Sequence, residues 1–323
     1  MHTVVLEPDV MAPEVREQLT ALGSVAFGPF DEGALAHELA GADTLLVRLG
    51  RYIDGALLDR APHLRFLVTA TTGLDHIDLA AARARGIRVV SLRDCPELIR
   101  DVSATAEHTW GLLLALVRRT PAAAEHVVRG GWDRTLFWGA QLRGKRLGIV
   151  GYGRIGALVA QYGAAFGMEV VAHDRDASRV TPPARTVPLE ELVRTADVVS
   201  VHATADPENR HLLDRRRIAA MKPGGILLNT ARGSLVDAEA LAEAIRAGRL
   251  YGAAVDVLEG EERGAIECDP LLACARAGHN VLITPHIGGA TREAIRRTEG
   301  AVVAILTELA TRAHCTPCAN HHA

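Results

Sequence analysis

Charge of one sign, long apolar runs and cysteine are all scarce in this sequence. Its 36 basic and 39 acidic side chains leave a formal net charge of −3 over 323 residues, which gives no electrostatic attraction to nucleic acid or to an anionic membrane. No fully apolar run is longer than Leu112 to Val117, which falls far short of the roughly 20 residues of a membrane-spanning helix. No charged-then-apolar leader pattern opens the chain, so export is not expected. Cys95, Cys268, Cys274, Cys315 and Cys318 are few, odd in number and scattered, which suits a reduced, cytoplasmic setting better than a disulfide framework. What is abundant is apolar: 48% hydrophobic content, over a length that suits about two domains with sizeable cores.

Near the middle of the chain stands "RLGIVGYGRIG", Arg146 to Gly156. The first five residues read as a short buried strand, the glycines follow at once, and Ala157 to Phe166 continues as an apolar-faced helix. In that context Gly151 takes the tight turn, Gly153 allows a pyrophosphate to approach the backbone, and Gly156 lets helix and strand pack closely. The helix N-terminus then meets the phosphates with unpaired N–H groups and the positive end of its dipole. The next strand, "MEVVAHD", ends in Asp174, eighteen residues after Gly156, close to the roughly 20 expected for an acid that bonds a ribose 2′-hydroxyl. A carboxylate there repels a 2′-phosphate, so NAD is favoured over NADP, although Arg175 beside it works the other way.

Along the rest of the chain short β-branched runs alternate with helical patterns, which predicts α/β architecture with two doubly wound parallel sheets. The first portion offers "TVVLE", "TLLVR", "RFLVTA" and "IRVVSL" as strands, with helices over Pro13–Leu22, Gly33–Leu39 and Ile77–Arg85. A longer helix over Val102–Arg119 is ended by Thr120-Pro121. Six strands follow: "RLGIVG", "EVVAHD", "DVVSVHA", "GILLNTA", "GAAVDVL" and "VLITPH". Ala290 to Thr311 then reads as one long amphipathic helix. The late glycine turn is explained if a Rossmann nucleotide domain, residues 99–288, is inserted into a flavodoxin-like substrate domain formed by residues 1–98 and 289–323. Two chain crossings make a hinge, and the cleft between the domains is the expected site.

Ligands of open parallel sheets gather at the carboxyl ends of strands. Three polar residues lie just past predicted strands: Arg232 in "NTARGSLVD", Glu261 after "AAVDVLEG", and His286 in "ITPHIGG". A 2-keto acid needs a cation to hold its carboxylate and polarise its carbonyl, a task for a bidentate guanidinium. It also needs a proton donor for the developing alkoxide. Histidine serves near neutral pH, and a neighbouring carboxylate orients its ring.

Taken together, "TTGLDHIDLAAARARGIRV", "TAEHTWGLLLALVRR", "LRGKRLGIVGYGRIG", "MKPGGILLNTARGSLVDAEAL", "GAAVDVLEGEE" and "ITPHIGGAT" resemble the D-isomer-specific 2-hydroxyacid dehydrogenases along nearly the whole chain. The resemblance implies a catalytic trio that maps onto Arg232, Glu261 and His286. Glu259 and Glu262 compete with Glu261, and only the family's offset of five residues past Asp256 selects among them. It further implies that Thr72 and Gly73 line the substrate loop near the nicotinamide and that Arg154 and Ile155 meet the pyrophosphate. It implies as well that Thr230, Ala231, Ala203 and Gly288 touch the cofactor and that Asp256 bonds the nicotinamide carboxamide. A homodimer held mainly by the nucleotide domains is also implied.

"LLVRLGRYIDGALL" resembles the stretch of phosphoglycerate dehydrogenases in which an arginine, here Arg48, faces the substrate's distal anion, with Arg51 to assist. That arginine suits a small-molecule substrate bearing a phosphate, phosphonate or second carboxylate. Two stretches depart from the family pattern: the longer, charged "SLRDCPELIRDVSATAEH", a candidate to line the cleft, and "VHATADPENRHLL", which lacks a proline after its histidine. Two other functions use similar scaffolds, phosphite oxidation and nucleotide-sensing corepression. The tail carries Cys315, Cys318, His321 and His322, all zinc-capable donors, but their spacing is too short for a zinc-finger frame and no metal is expected.

Overall fold

The computed structural model describes residues 1–9, 11–264 and 266–314. It divides into two compact units, Met1–Val102 together with the segment from Ala290 onward, and Ser103–Gly289. The zinc-capable residues Cys315, Cys318, His321 and His322 lie outside the described residues.

The first unit is a parallel sheet of five strands, β1 (His2–Val5), β2 (Ser24–Phe27), β3 (Thr44–Val47), β4 (Phe66–Thr69) and β5 (Arg88–Val90), in the order β2-β1-β3-β4-β5. That is the flavodoxin-like order. Every residue of β3 and β4 is buried, so these strands read as continuous apolar runs with a helix layer on each face. One layer packs Leu35, Leu39, Leu57 and Leu58 on the sheet. The other is closed by the long helix Arg292–His314, whose Val302, Val303 and Leu306 are fully buried against Val5, Leu46 and Val68.

The second unit has seven parallel strands: β6 (Arg146–Val150), β7 (Glu169–His173), β8 (Arg185–Thr186), β9 (Val198–Val201), β10 (Ile226–Asn229), β11 (Gly252–Val255) and β12 (Val281–Ile283). Their order is β12-β11-β10-β9-β6-β7-β8. The winding reverses between β6 and β9, and the glycine turn leaves β6 at this switch point, where doubly wound sheets bind ligands.

Two strands escape the sequence reading, which expects four and six. β2, "SVAF", has no fully buried residue, and β8 is two exposed residues; both are sheet edges, where little burial is required and the apolar pattern fades. Thr120-Pro121 does end the first long helix, at Arg118, but Arg119 turns into the left-handed region (φ 52°) and a second helix, Thr120–Val128, starts at once. Proline is tolerated in the first turn of a helix, so Pro121 acts here as a start signal as well as a stop.

Candidate active site

Neighbouring strands β10, β11 and β12 each hand one of the three candidate side chains to a short loop at their carboxyl ends. After β10, the buried Asn229 clips its own turn: its Nδ2 donates to the carbonyl of Arg232 at 2.8 Å, and its Oδ1 accepts from the Ala231 N–H at 3.1 Å. The Arg232 guanidinium donates through Nη1 to the Ala231 carbonyl at 2.7 Å. The next residue must be glycine, because a Cβ on Gly233 would fall 2.2 Å from backbone atoms of Leu258 and Glu259. That close approach seats the arginine turn on the exit of β11.

Beyond β11, the three glutamates separate by partner. Glu259 pairs with Arg210 at 2.8 Å and His211 at 3.3 Å, and Glu262 with Arg263 at 3.8 Å. Glu261 alone reaches His286, accepting from the ring Nδ1, while its second oxygen accepts the Leu258 N–H at 2.8 Å. Because the carboxylate occupies Nδ1, the other ring nitrogen, Nε2, is the one available to a reactant.

His286 itself has φ 54°, an uncommon conformation for a residue other than glycine. The clamp that holds it is Asp256, 1% exposed. The Asp256 carbonyl accepts from His286 N–H at 2.9 Å; its Oδ1 accepts from Ile287 N–H at 2.9 Å and Thr284 Oγ1 at 2.6 Å, and its Oδ2 from Gly288 N–H at 2.7 Å. His108 closes the ring from the helix Ala104–Arg118, with Nε2 2.9 Å from Thr284 Oγ1 and 3.2 Å from Asp256 Oδ1. Asn229, Thr284 and His108 are the residues that sequence reasoning misses. No spacing rule ties His108 to a partner 176 positions away, although "AEH" on an otherwise apolar helix face is a visible polar signal.

The glycine turn has a different job for each glycine. Gly151 sits at φ 92° with its would-be Cβ 2.5 Å from the Ala203 nitrogen, and a Cβ on Gly156 would lie 2.2 Å from the Gly151 carbonyl oxygen. A Cβ on Gly153 would meet nothing within 4 Å among the described residues. Gly153 caps the helix Arg154–Ala165, so the open space lies at a helix N-terminus, where unpaired N–H groups and the dipole favour a phosphate. Burial pulls the Arg154 guanidinium below its ordinary range, and Ile155 beside it is half-buried. Asp174 at the end of β7 accepts from the Tyr152 N–H at 2.6 Å and the Asp176 N–H at 3.0 Å. One bond on each oxygen leaves each a lone pair for a ribose hydroxyl. Thr230 bonds Thr109 through their hydroxyls at 2.7 Å. Behind β9, His202 accepts or donates at Ser200 Oγ, 2.8 Å away, and burial brings its pKa down to about 3, so the ring is neutral. The set suits a dinucleotide: an open phosphate cradle, a carboxylate for a ribose, and small or neutral side chains between them.

Residues 110–288 match the family model described as the NAD-binding domain of D-isomer-specific 2-hydroxyacid dehydrogenase. The chain belongs to that family. It is 40% identical to the D-3-phosphoglycerate dehydrogenase of Mycobacterium tuberculosis over 300 residues, which are 90% of this chain and 54% of that one. It thus spans about half the length of the first curated relatives it matches. A glyoxylate reductase of Aeropyrum pernix is 40% identical over 263 residues, 78% of this chain and 75% of its own. Among solved structures, the TT0316 protein of Thermus thermophilus is similar with a TM-score of 0.80 and 40% identity, covering 95% of this chain and 97% of that one. A D-lactate dehydrogenase of Aquifex aeolicus, solved with NAD and lactic acid, has a TM-score of 0.81 at 29% identity, covering 97% of this chain and 96% of that one.

Within the first unit of this dehydrogenase-family chain, Thr72 and Gly73 leave β4 in a loop pinned by Thr71, whose hydroxyl donates to the Gly73 carbonyl at 2.7 Å. Arg48 leaves β3 with its guanidinium on Glu299 of the long C-terminal helix: Nε and Nη2 reach Oε1 at 3.0 and 2.5 Å. Burial holds the Glu299 carboxyl above its ordinary range, and Arg48 only partly pulls it back. Arg51 pairs with Glu32 at 2.9 Å on the surface. The charged departure after β5 is a folded element: two 3₁₀ turns, Leu92–Asp94 and Pro96–Ile99, bury Leu92, Cys95 and Ile99 in the core. In "VHATADPENRHLL" the change is local, a 3₁₀ turn Pro207–Asn209 closed by an Asp206–Asn209 capping box.

Proposed function

We propose that the chain is an NAD-dependent oxidoreductase that interconverts a D-2-hydroxy acid and its 2-keto acid. The observation that carries this reading is the Glu261–His286 pair, in which the Leu258 N–H and the ring Nδ1 fix the carboxylate from two sides. When bound, the nicotinamide exchanges a hydride with C2. In reduction, Arg232 grips the substrate carboxylate and polarises the C2 carbonyl, and His286 Nε2 gives its proton to the carbonyl oxygen as the hydride arrives. Glu261 orients the ring through Nδ1 and keeps Nε2 turned to the reactant. In oxidation the same nitrogen takes the hydroxyl proton back. Gly151, Gly153, Gly156 and Asp174 would hold the dinucleotide, Thr230, Ala231, Ala203 and Gly288 would line it, and Asp256 would offer Oδ2 to its carboxamide. Thr72 and Gly73 bind substrate, which carries a second anionic group at its far end. Support for the reading also comes from the relatives, named as dehydrogenases and reductases.

The test is NADH oxidation, followed by absorbance, against a panel of 2-keto acids; absence of turnover across the panel overturns the reading. Arg232→Lys keeps the charge but loses the planar fork. It is expected to raise the keto-acid KM and to lower kcat, with kcat/KM down about ten- to a hundredfold, as the loss of a charged hydrogen bond does. Parent-like kinetics would remove Arg232 from its role.

The protein is further read as a cytoplasmic homodimer joined through the nucleotide unit. That unit exposes Val128, Trp132 and Trp138 at 86%, 89% and 79%, large apolar side chains that a partner surface would cover. Light scattering coupled to size exclusion is expected to give twice the 34.5 kDa chain mass. A monomer at that stage sinks the dimer, and Trp132→Ser with Trp138→Ser is expected to loosen it.

A further inference from the structure

The carboxyl ends of the first unit's strands form a rim of loops, and its cations are unequally committed. The Glu7 carboxylate, past β1, ties down the turn after β3 by accepting from Arg48 N–H at 2.6 Å and Gly50 N–H at 2.7 Å. Arg48 spends its guanidinium on the buried Glu299, and Arg51 and Arg60 share Glu32. A different cation is left. After β5, Arg93 lies in the 3₁₀ turn Leu92–Asp94, in which side chains three apart share a face. Leu92 and Cys95 accordingly turn inward at 5% and 6% exposure, and Arg93 turns out. Asp94 is occupied in folding back, its Oδ2 accepting from the Ser91 N–H at 2.8 Å.

Arg93 is held in place from one side only. Its Nε donates to the Thr72 carbonyl at 2.7 Å, and the Leu92 N–H donates to the Thr71 carbonyl at 3.1 Å, so the β5 exit and the Thr71–Gly73 loop are stitched together. Among the described residues no carboxylate forms an ion pair with Arg93. A bond through Nε leaves the Nη1–Nη2 edge of the guanidinium, two parallel donors that match a carboxylate or phosphate.

We propose that Arg93 is the specificity-determining cation of this chain: hung on the carbonyl of Thr72, it grips a second oxyanion, phosphate or carboxylate, at the far end of a 2-keto acid bound at the Thr72–Gly73 loop. This rests on the oxidoreductase reading of the site above. It assigns the distal anion to the charged segment after β5, and withdraws it from Arg48, whose Nε and Nη2 are held by Glu299.

Hydroxypyruvate and its phosphate ester differ only in the distal anion, so the ratio of their kcat/KM values isolates this contact. The parent is expected to favour the ester. Arg93→Leu is expected to lower that ratio about ten- to a hundredfold, and Arg93→Lys to restore part of it. If Arg93 merely props the Thr72 loop, both substrates suffer together and the ratio stays where it was, which overturns the proposal. So does a parent with no preference, or a fall in the ratio on Arg48→Leu with none on Arg93→Leu. A 2-oxo dicarboxylate run beside its monocarboxylate analogue tells whether the oxyanion is phosphate or carboxylate. Calorimetric titration of the phosphate ester into the NADH-loaded protein reads the subsite without chemistry. If no keto acid turns over, the oxidoreductase reading fails, and a Kd for the ester unaffected by Arg93→Leu, or no binding at all, then overturns the proposal as well.

Discussion

His286→Ala is expected to lower kcat by about 10² to 10⁴ while NADH affinity changes by less than about threefold, because general acid catalysis contributes on that scale and the ring is the proton donor in the proposed mechanism. The split follows from position. His286 stands on the loop after β12, whereas the glycine turn and Asp174, to which the proposal gives the dinucleotide, leave β6 and β7 on the far side of the switch point. Removing the imidazole also strips Glu261 of its Nδ1 partner, while the Leu258 N–H still holds the other oxygen, so the loop after β11 keeps its shape. Stopped-flow fluorescence of bound NADH measures the affinity and steady-state absorbance measures the turnover. A mutant that turns over like the parent, or one that loses NADH in step with turnover, would remove His286 from the proton path.

How far such a prediction could be made without coordinates differs from residue to residue. The glycine turn is legible because its constraints are local: strand, turn and helix follow within eleven residues, Arg146 to Gly156, and each glycine answers to backbone sterics. Buried parallel strands such as "TLLV" and "FLVT" are legible for a similar reason, since burial on both faces makes the run continuously apolar. Edges are not, as β2 and β8 show. The choice of Glu261 over Glu259 and Glu262 had only a family offset behind it. In the fold it is set by long-range partners, Arg210 and His211 for one and His286 for another, which no local pattern encodes. The stretch after β5 reads as a longer, charged loop because Arg93, Asp94, Glu97 and Arg100 dominate it. The apolar residues between them, Leu92, Cys95 and Ile99, are three and four apart, and that spacing is the trace of a folded, half-buried element.

Asp256 shows how a residue legible for one reason acts through another. The resemblance gives it the nicotinamide carboxamide, and its hydrogen bonds add the clamp on the loop that carries His286. Two bonds fill the lone pairs of Oδ1, and the Gly288 N–H takes one of the two on Oδ2, which leaves one acceptor site for an amide. In Asp256→Asn the amide NH₂ must take one of the two oxygen positions. If it replaces Oδ2 it opposes the Gly288 N–H donor to donor; if it replaces Oδ1 it opposes Ile287. Either way one buried N–H loses its partner, a cost of about 1–3 kcal/mol. In a domain of this size that lowers Tm by about 2–4 °C for each kcal/mol. The loop also loses part of what holds His286 at φ 54°. A displacement of about 1 Å at a reacting group costs on the order of 10²-fold. At saturating NADH, Asp256→Asn is therefore expected to lower kcat by about 10- to 100-fold, beyond any change in cofactor affinity. A fall in Tm with kcat kept at the parent value would reduce Asp256 to a structural residue. A rise in the NADH Kd that accounts for all the lost activity would leave it as a cofactor ligand with no hand in placing the acid.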